Sequence, residues 1–157
     1  MPDVFISYSS EDGKFARWVH ERLSTAGVSV FLAEISLEPG DTWDEKIKRN
    51  LREANYFIFL ASRKACASQI VNQEVGMAIT HNKNIIPVVW DMPPTELPGF
   101  LKCNKQAFDM RGKDPSELLT VLNKVVEKVK DNKAVSFLII GCALLGALLL
   151  VFGGKKK

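Results

Sequence analysis

Polar side chains that could bind or activate a ligand follow directly after a short apolar run near the start of the chain. Val4, Phe5 and Ile6 are succeeded by residues 7–12, Ser-Tyr-Ser-Ser-Glu-Asp. This pattern is typical of a buried strand whose carboxyl end reaches the surface. Ligands of open parallel sheets bind at such carboxyl ends. The sequence therefore predicts a polar crevice at residues 7–12, where Asp12 would cap a following helix.

A second candidate group is the carboxyl of Glu74, which lies in a stretch with helical spacing. The predicted core stripe of this helix comprises Val71, Val75, Ala78 and Ile79, and the adjacent stripe comprises Ile70, Glu74, Met77 and His81. On the adjacent stripe the acid would have partly apolar surroundings, between Ile70 and Met77. A solvated helix glutamate is the commoner case from periodicity alone, so both interpretations stay open.

Several common chemistries lack their motif in this chain. Neither a Gly-x-Gly-x-x-Gly nor a Gly-x-x-x-x-Gly-Lys-Ser/Thr pattern occurs, so the two common phosphate-binding loops are absent. A phosphoacceptor receiver domain would need an aspartate where the third predicted strand ends, and the chain has Ser62 there. The two histidines, His20 and His81, lie in helical stretches and indicate no catalytic triad. The three cysteines share no Cys-x-x-Cys spacing, which argues against a zinc site and for a reducing compartment.

Apolar runs typical of strands alternate with stretches of helical spacing over most of the chain. The predicted strands are Val4–Ile6, Val28–Leu32, Tyr56–Leu60, Ile85–Trp90 and, more weakly, Gln106–Phe108. The predicted helices are Asp12–Ala26, Thr42–Ala54, Ala67–Asn82 and one that begins near Asp114. This alternation predicts an α/β fold, a flavodoxin-like five-stranded parallel sheet of order 2-1-3-4-5 with helices on both faces. Pro87 in the fourth strand conflicts with the pattern because it cannot donate to the ladder.

The C-terminal part of the chain differs in composition from the rest. Residues 134–154 are 21 residues without a charge, a run long enough to cross a bilayer as a helix. A buried core helix is the alternative, but it would keep a polar face, and this run has only Ser136. Residues 1–133 carry 18 basic and 18 acidic side chains, so they give no electrostatic footprint for nucleic acid. The net charge of +3 comes from residues 155–157.

These patterns predict a domain at residues 1–130, a short linker at 131–133, one C-terminal transmembrane helix at 134–154 and a basic tail at 155–157. The basic tail would lie among lipid headgroups. No basic and apolar leader is evident at the start of the chain, so no cleaved signal peptide is predicted. The predicted location is a single-pass C-terminal membrane anchor with the domain in the cytoplasm.

Four segments, in order and at normal spacing, together resemble a TIR (Toll/interleukin-1 receptor) domain of the prokaryotic type. Residues 3–9, Asp-Val-Phe-Ile-Ser-Tyr-Ser, resemble the opening strand of the family, and residues 37–43, Leu-Glu-Pro-Gly-Asp-Thr-Trp, resemble its BB loop. Residues 47–62 resemble the helix and strand that end in the family's serine. Residues 68–74, Ser-Gln-Ile-Val-Asn-Gln-Glu, resemble the helix that carries the catalytic glutamate. The resemblance covers about residues 3–130.

The resemblance implies cleavage of NAD+ at the nicotinamide–ribose bond, as in many prokaryotic and plant members, with Glu74 as the catalytic residue. It implies substrate contacts at Ser7, Tyr8, Ser9, Ser36, Leu37, Trp43 and Ile70, and assembly contacts in the BB loop at Pro39, Gly40 and Asp41. NAD+ is then the substrate, and neither a cofactor nor a metal is expected. One carboxylate suffices, because nicotinamide leaves as a neutral molecule and the charge develops as an oxocarbenium ion on the ribose.

Three positions depart from the family pattern. The family often has a tryptophan four residues before the glutamate, linked to cyclising the ADP-ribose product, and this chain has Ile70, which favours plain hydrolysis. Ser9 and Ser36 stand where some NAD+-cleaving members have basic residues. Trp43 would supply an aromatic contact instead, or else it packs at a helix start.

The predicted function is a membrane-anchored NAD+ glycohydrolase that forms nicotinamide and ADP-ribose on oligomerisation and acts as an immune, antiphage effector. The predicted partners are NAD+, further copies in a TIR–TIR homo-oligomer, membrane lipid and an upstream sensor protein, since no sensor domain is evident. No nucleic acid is predicted as a partner. Two alternatives stay open: a non-catalytic TIR scaffold that recruits TIR partners to a membrane, and a synthase of a cyclic ADP-ribose messenger.

Overall fold

Five parallel strands form one sheet in the computed structural model, which describes residues 1–32, 45–102, 107–114 and 116–133. The strands are β1 (Val4–Ser7), β2 (Val30–Leu32), β3 (Tyr56–Ala61), β4 (Asn84–Val89) and β5 (Phe108–Asp109). Their order is β2-β1-β3-β4-β5, and every neighbouring pair is parallel, which confirms the predicted sheet. The chain leaves β1 for β2 on one side and reaches β3 on the other. The carboxyl ends of β1 and β3 therefore flank the switch point at which such sheets bind ligands.

Six α-helices are seen in the described part of the chain. They are α1 (Gly13–Thr25), α2 (Glu45–Glu53), α3 (Arg63–Ala67), α4 (Gln69–Thr80), α5 (Gly99–Lys102) and α6 (residues 116–133). Two 3-10 turns, Ser10–Asp12 and Pro94–Glu96, complete the regular structure of these residues.

The predicted helix Ala67–Asn82 is interrupted near its start. Ser68 has an extended backbone, and its side chain accepts a hydrogen bond from the amide of Val71, so that it ends α3 and caps α4. A serine hydroxyl satisfies one of the free amides at a helix N-terminus, which stabilises a new start at the expense of a continuous helix. The first turn of α4 is therefore set by Ser68 and not by Ala67.

The two faces of the sheet are covered by different helices, as predicted. On one face, Val4, Ile6 and Ile58 pack in a core cluster with buried residues of α1 and α6. On the other face, Phe5 and Phe57 pack with buried residues of α2 and α4. Side chains alternate along a strand, so Ser7 has the same orientation as Phe5 and faces α4. This alternation positions the candidate site.

Pro87, which conflicts with a strand in the sequence pattern, is nevertheless part of β4. It lies opposite Phe59 of β3, whereas β5 pairs only with Val88 and Val89 among the described residues. Pro87 thus lies at a sheet edge on its β5 side, a position where proline is tolerated.

The end of α6 contacts the start of the sheet. Residues 131–133, which the sequence places in a short linker, are helical. Nζ of Lys133 lies 2.7 Å from Oδ2 of Asp3, which also accepts a hydrogen bond of 2.8 Å from the amide of Ser29. No helix among the described residues is long and apolar enough to span a bilayer. The predicted span at 134–154 and the basic tail at 155–157 lie outside those residues.

Candidate active site

The carboxyl of Glu74 lies beneath the carboxyl end of β1. Glu74 has no exposed surface, and its Oε2 accepts a hydrogen bond from Oγ of Ser7, the last residue of β1, which is equally buried. The two residues are 67 positions apart in the sequence. The fold therefore brings the predicted catalytic residue and one predicted substrate-binding residue into direct contact.

The second carboxyl oxygen of Glu74 lacks a hydrogen-bond partner. Oε1 is buried, and no donor in the part of the chain that the structure describes reaches it. Leaving a buried polar atom unpaired costs about 1–3 kcal/mol, so such atoms are rare in folded domains and call for an explanation. A donor on a bound ligand, such as a sugar hydroxyl, would satisfy Oε1.

Burial raises the pKa of Glu74 from an ordinary value of 4.5 to about 8, and the hydrogen bond from Ser7 opposes that rise. The charged form loses its hydration when it is buried, while a donated hydrogen bond stabilises the charge. In the arrangement seen here burial therefore favours the neutral form of the carboxyl, and the hydrogen bond from Ser7 favours the ionised form. A cationic ligand next to it would favour its ionised form.

The structure corrects the assignment of two residues to the faces of α4. Ile79, predicted for the core stripe, is 38% exposed, whereas Glu74 is completely buried. Glu74 lies three residues after Val71 and four before Ala78, and both of these are fully buried. It therefore occupies the centre of the core face and not the adjacent stripe.

The remaining predicted contacts are divided by the sheet. Tyr8 is buried in the core cluster with α1 and α6, on the face opposite to Glu74. Ser9 is buried and its Oγ accepts a hydrogen bond of 3.4 Å from the amide of Glu11. Ile70 is half-buried in the first turn of α4. The other predicted residues, Ser36, Leu37, Pro39, Gly40, Asp41 and Trp43, lie outside the described residues.

A second hydrogen-bonded pair joins the carboxyl ends of β1 and β3. Oγ of Ser62 donates to Oδ2 of Asp12 at 2.5 Å and accepts from the amide of Ala65 at 3.0 Å, which caps α3. Asp12 was predicted to cap a helix, but its side chain makes no cap to α1. Its carboxylate accepts the hydrogen bond from Ser62 instead. The pKa of Asp12 is raised, mainly because its carboxyl is partly buried.

The sequence analysis did not identify Asp91, which lies two residues after the end of β4 at the same edge of the sheet. Its carboxylate accepts hydrogen bonds of 3.0 and 3.1 Å from the amide of Arg63, the first residue of α3. The sequence did contain a signal for this residue, because Asp91 is an acidic residue directly after the predicted apolar strand Ile85–Trp90. Within the described ranges, no group of three or more histidine, cysteine or acidic side chains is arranged to hold a metal ion.

Comparison with known proteins places this geometry in a family. A family model described as TIR domain matches residues 4–122. A probable 2′ cyclic ADP-D-ribose synthase from Brachypodium distachyon is 34% identical over 97 residues, which are 60% of this chain and 43% of that protein. The NAD(+) hydrolase TcpC of Escherichia coli is 33% identical over 92 residues, which are 55% of this chain and 30% of that protein. The chain thus spans less than half the length of these relatives.

A solved structure has the same fold. The TIR domain of a Toll-related receptor from Hydra magnipapillata superposes with a TM-score of 0.64 at 21% identity, over 83% of this chain and 99% of that domain. Because the family model matches residues 4–122, more than half of the chain, the chain belongs to the TIR domain family.

Proposed function

We propose that this TIR domain cleaves NAD+ between nicotinamide and ribose, with Glu74 as the catalytic residue. The observation that carries the proposal is the buried carboxyl of Glu74 at the switch point of the sheet, with Oε2 bonded to Ser7 and Oε1 unpaired. The names of the relatives from Brachypodium and Escherichia coli support the same chemistry, since one is a probable cyclic ADP-ribose synthase and the other an NAD+ hydrolase.

The reaction requires one charged group from the protein. The bond between the ribose carbon and the pyridinium nitrogen breaks, its electron pair stays on the ring, and nicotinamide leaves as a neutral molecule. The ribose becomes an oxocarbenium ion. Ionised Glu74 stabilises this cation, and its Oε1 accepts a hydrogen bond from a ribose hydroxyl. Water then adds to the cation and loses a proton to solvent, which gives ADP-ribose.

The test is NAD+ consumption by the full chain, reconstituted in liposomes at high protein concentration. Glu74→Gln keeps the volume of the side chain and removes its charge, so turnover should fall by about 100-fold or more. Glu21→Gln on the exposed side of α1 is the matched control and should retain wild-type turnover. Equal turnover by wild type and Glu74→Gln would leave a non-catalytic TIR scaffold as the better account.

The identity of the product distinguishes hydrolysis from cyclisation, and a different observation favours each reaction. Ile70 at the position of the family's tryptophan favours linear ADP-ribose, whereas the name of the Brachypodium relative favours a cyclic product. Chromatography of the products with mass spectrometry distinguishes them, because they differ by one water molecule. A cyclic product from the wild type would reassign the chain to the synthases.

Assembly and membrane anchoring form the finer part of the proposal. Glu74 has no exposed surface, so contact with a ribose requires a rearrangement around its carboxyl. We place the trigger in TIR–TIR assembly through Pro39, Gly40 and Asp41, and Gly40→Val should reduce both assembly, measured by sedimentation, and turnover. A monomeric mutant with full turnover would contradict assembly as the trigger.

The apolar run at 134–154 is proposed to hold the domain on the cytoplasmic side of a membrane and to raise the effective concentration of its copies. Such a domain should resist protease that is added outside intact cells. Its release by that protease would overturn the proposed topology. The same proposal includes an upstream sensor protein and an antiphage role. The measurement that tests both is the loss of NAD+ in infected cells.

A further inference from the structure

Ser7 is the only described residue that donates a hydrogen bond to the carboxyl of Glu74. Ser7 is fully buried and is the last residue of β1. Phe5, two residues earlier on the same face of the sheet, stacks on Phe57 at a ring-centroid distance of 5.4 Å. From this buried position the hydroxyl of Ser7 donates its hydrogen bond to Oε2 of Glu74. The family resemblance implies a contact between Ser7 and substrate, whereas in this structure the hydroxyl of Ser7 donates its hydrogen bond to the carboxyl of Glu74.

We propose that Ser7 is a positioning residue, whose hydroxyl holds Oε2 of Glu74 and so leaves Oε1 directed to the ribose. This inference rests on the proposed NAD+ cleavage, and it assigns the two carboxyl oxygens different tasks. Oε2 accepts the hydrogen bond from Ser7 of β1, while Oε1 stays unpaired until a ligand supplies a donor. The same hydrogen bond favours the ionised carboxylate over the neutral acid, because a donor stabilises negative charge.

No other described group shares this role. The described elements that make the main contacts with α4 are β1, α2 and α3. Their partly buried titratable side chains are Lys48 and Glu53 on α2 and Cys66 on α3. None of them contributes to the pKa of Glu74, which depends on burial and on Ser7. Removal of the Ser7 hydroxyl should therefore change the ionisation of Glu74 without compensation by a neighbouring charge.

The closing experiment measures the ionisation of Glu74 directly. Carbon-13 NMR of glutamate carboxyls in the full chain, held in lipid nanodiscs, gives the midpoint, and the Glu74 signal is assigned by its absence in Glu74→Gln. Ser7→Ala should raise the midpoint by roughly one to two pH units, the effect of a lost hydrogen bond to a charged group. Ser7→Thr keeps the hydroxyl and should restore the wild-type midpoint.

A matched control is available on the neighbouring strand. Ser62 is equally buried at the end of β3, but it donates to Asp12. Ser62→Ala removes a buried hydroxyl of the same kind and should leave the Glu74 midpoint unchanged. If Ser7→Ala does not fold, Ser7→Cys replaces the hydroxyl by a weaker donor and should move the midpoint in the same direction.

Activity adds a second readout that keeps the two proposals apart. NAD+ cleavage by Ser7→Ala should be reduced mainly in kcat, and its pH profile should shift to higher pH with the NMR midpoint. A wild type without any cleavage would refute the proposed function, while the midpoint shift would still test the contact. An unchanged midpoint in Ser7→Ala, or the same shift in Ser62→Ala, would refute the positioning role of Ser7.

Discussion

Replacement of Glu74 by glutamine should make the domain less sensitive to pH. In the folded wild type, burial raises the pKa of Glu74 from 4.5 to about 8. Between these two values the folded state keeps a proton that the unfolded state has lost. Stability rises with pH only where the unfolded state binds more protons, so here it must fall as pH rises. Glutamine carries no proton equilibrium and removes this dependence.

The magnitude follows from the width of that window. Each pH unit within it changes the free energy of unfolding by about 1.4 kcal/mol for one proton. From pH 5 to pH 8 the wild type should thus lose on the order of 4 kcal/mol relative to Glu74→Gln. That is a large share of the roughly 5–15 kcal/mol that stabilises an ordinary domain. Well above pH 8 the stabilities of the two proteins should change with pH in parallel, because Glu74 is then ionised in both the folded and the unfolded state.

The assay is urea unfolding of the full chain in a fixed micelle background at several pH values. Trp18 and Trp90 pack against the core that joins the sheet to α1 and α6, so their fluorescence reports on unfolding. The quantity to plot is the difference between the two proteins, because the raised pKa of Asp12 acts on both alike. Glu21→Gln, an exposed change on α1, should give a flat difference. Parallel curves for wild type and Glu74→Gln between pH 5 and 8 would refute the inference that Glu74 is buried and protonated.

Three further predictions concern residues around the site and at the base of the sheet. Ser62→Ala removes the cap of α3 at the amide of Ala65 and should cost about 1 kcal/mol in urea unfolding; an unchanged midpoint would argue against the cap. Asp3→Ala should cost about 1–2 kcal/mol and Lys133→Ala less than about 1 kcal/mol, because Lys133 is about half exposed while Asp3 is largely buried and also holds a backbone amide. Burial raises the pKa of Cys66 to about 11, so iodoacetamide should alkylate it slowly at pH 8 in the folded protein and faster in urea, in a variant without the other two cysteines. Labelling of Cys66 at the same rate in both states would contradict that burial.

The fold was predictable from local patterns. Apolar runs of strand length alternate with helical spacing, and right-handed crossovers allow few ways to assemble such units. The five strands and their order followed from this, with errors of a few residues at the ends; β2 begins at Val30 and not at Val28. The importance of Glu74 came from the family resemblance, since periodicity alone favours a solvated glutamate at that position.

Only the tertiary structure decided the surroundings of the candidate site. Glu74 meets Ser7 across 67 residues of sequence, and this contact depends on the register of α4 against β1. Tyr8, the next residue after Ser7, lies on the other face because side chains alternate along a strand. Asp12 bonds to Ser62 and does not cap α1. Local periodicity specifies which residues are buried, but the partner of a buried polar atom is set by elements that are distant in sequence and packed together in space.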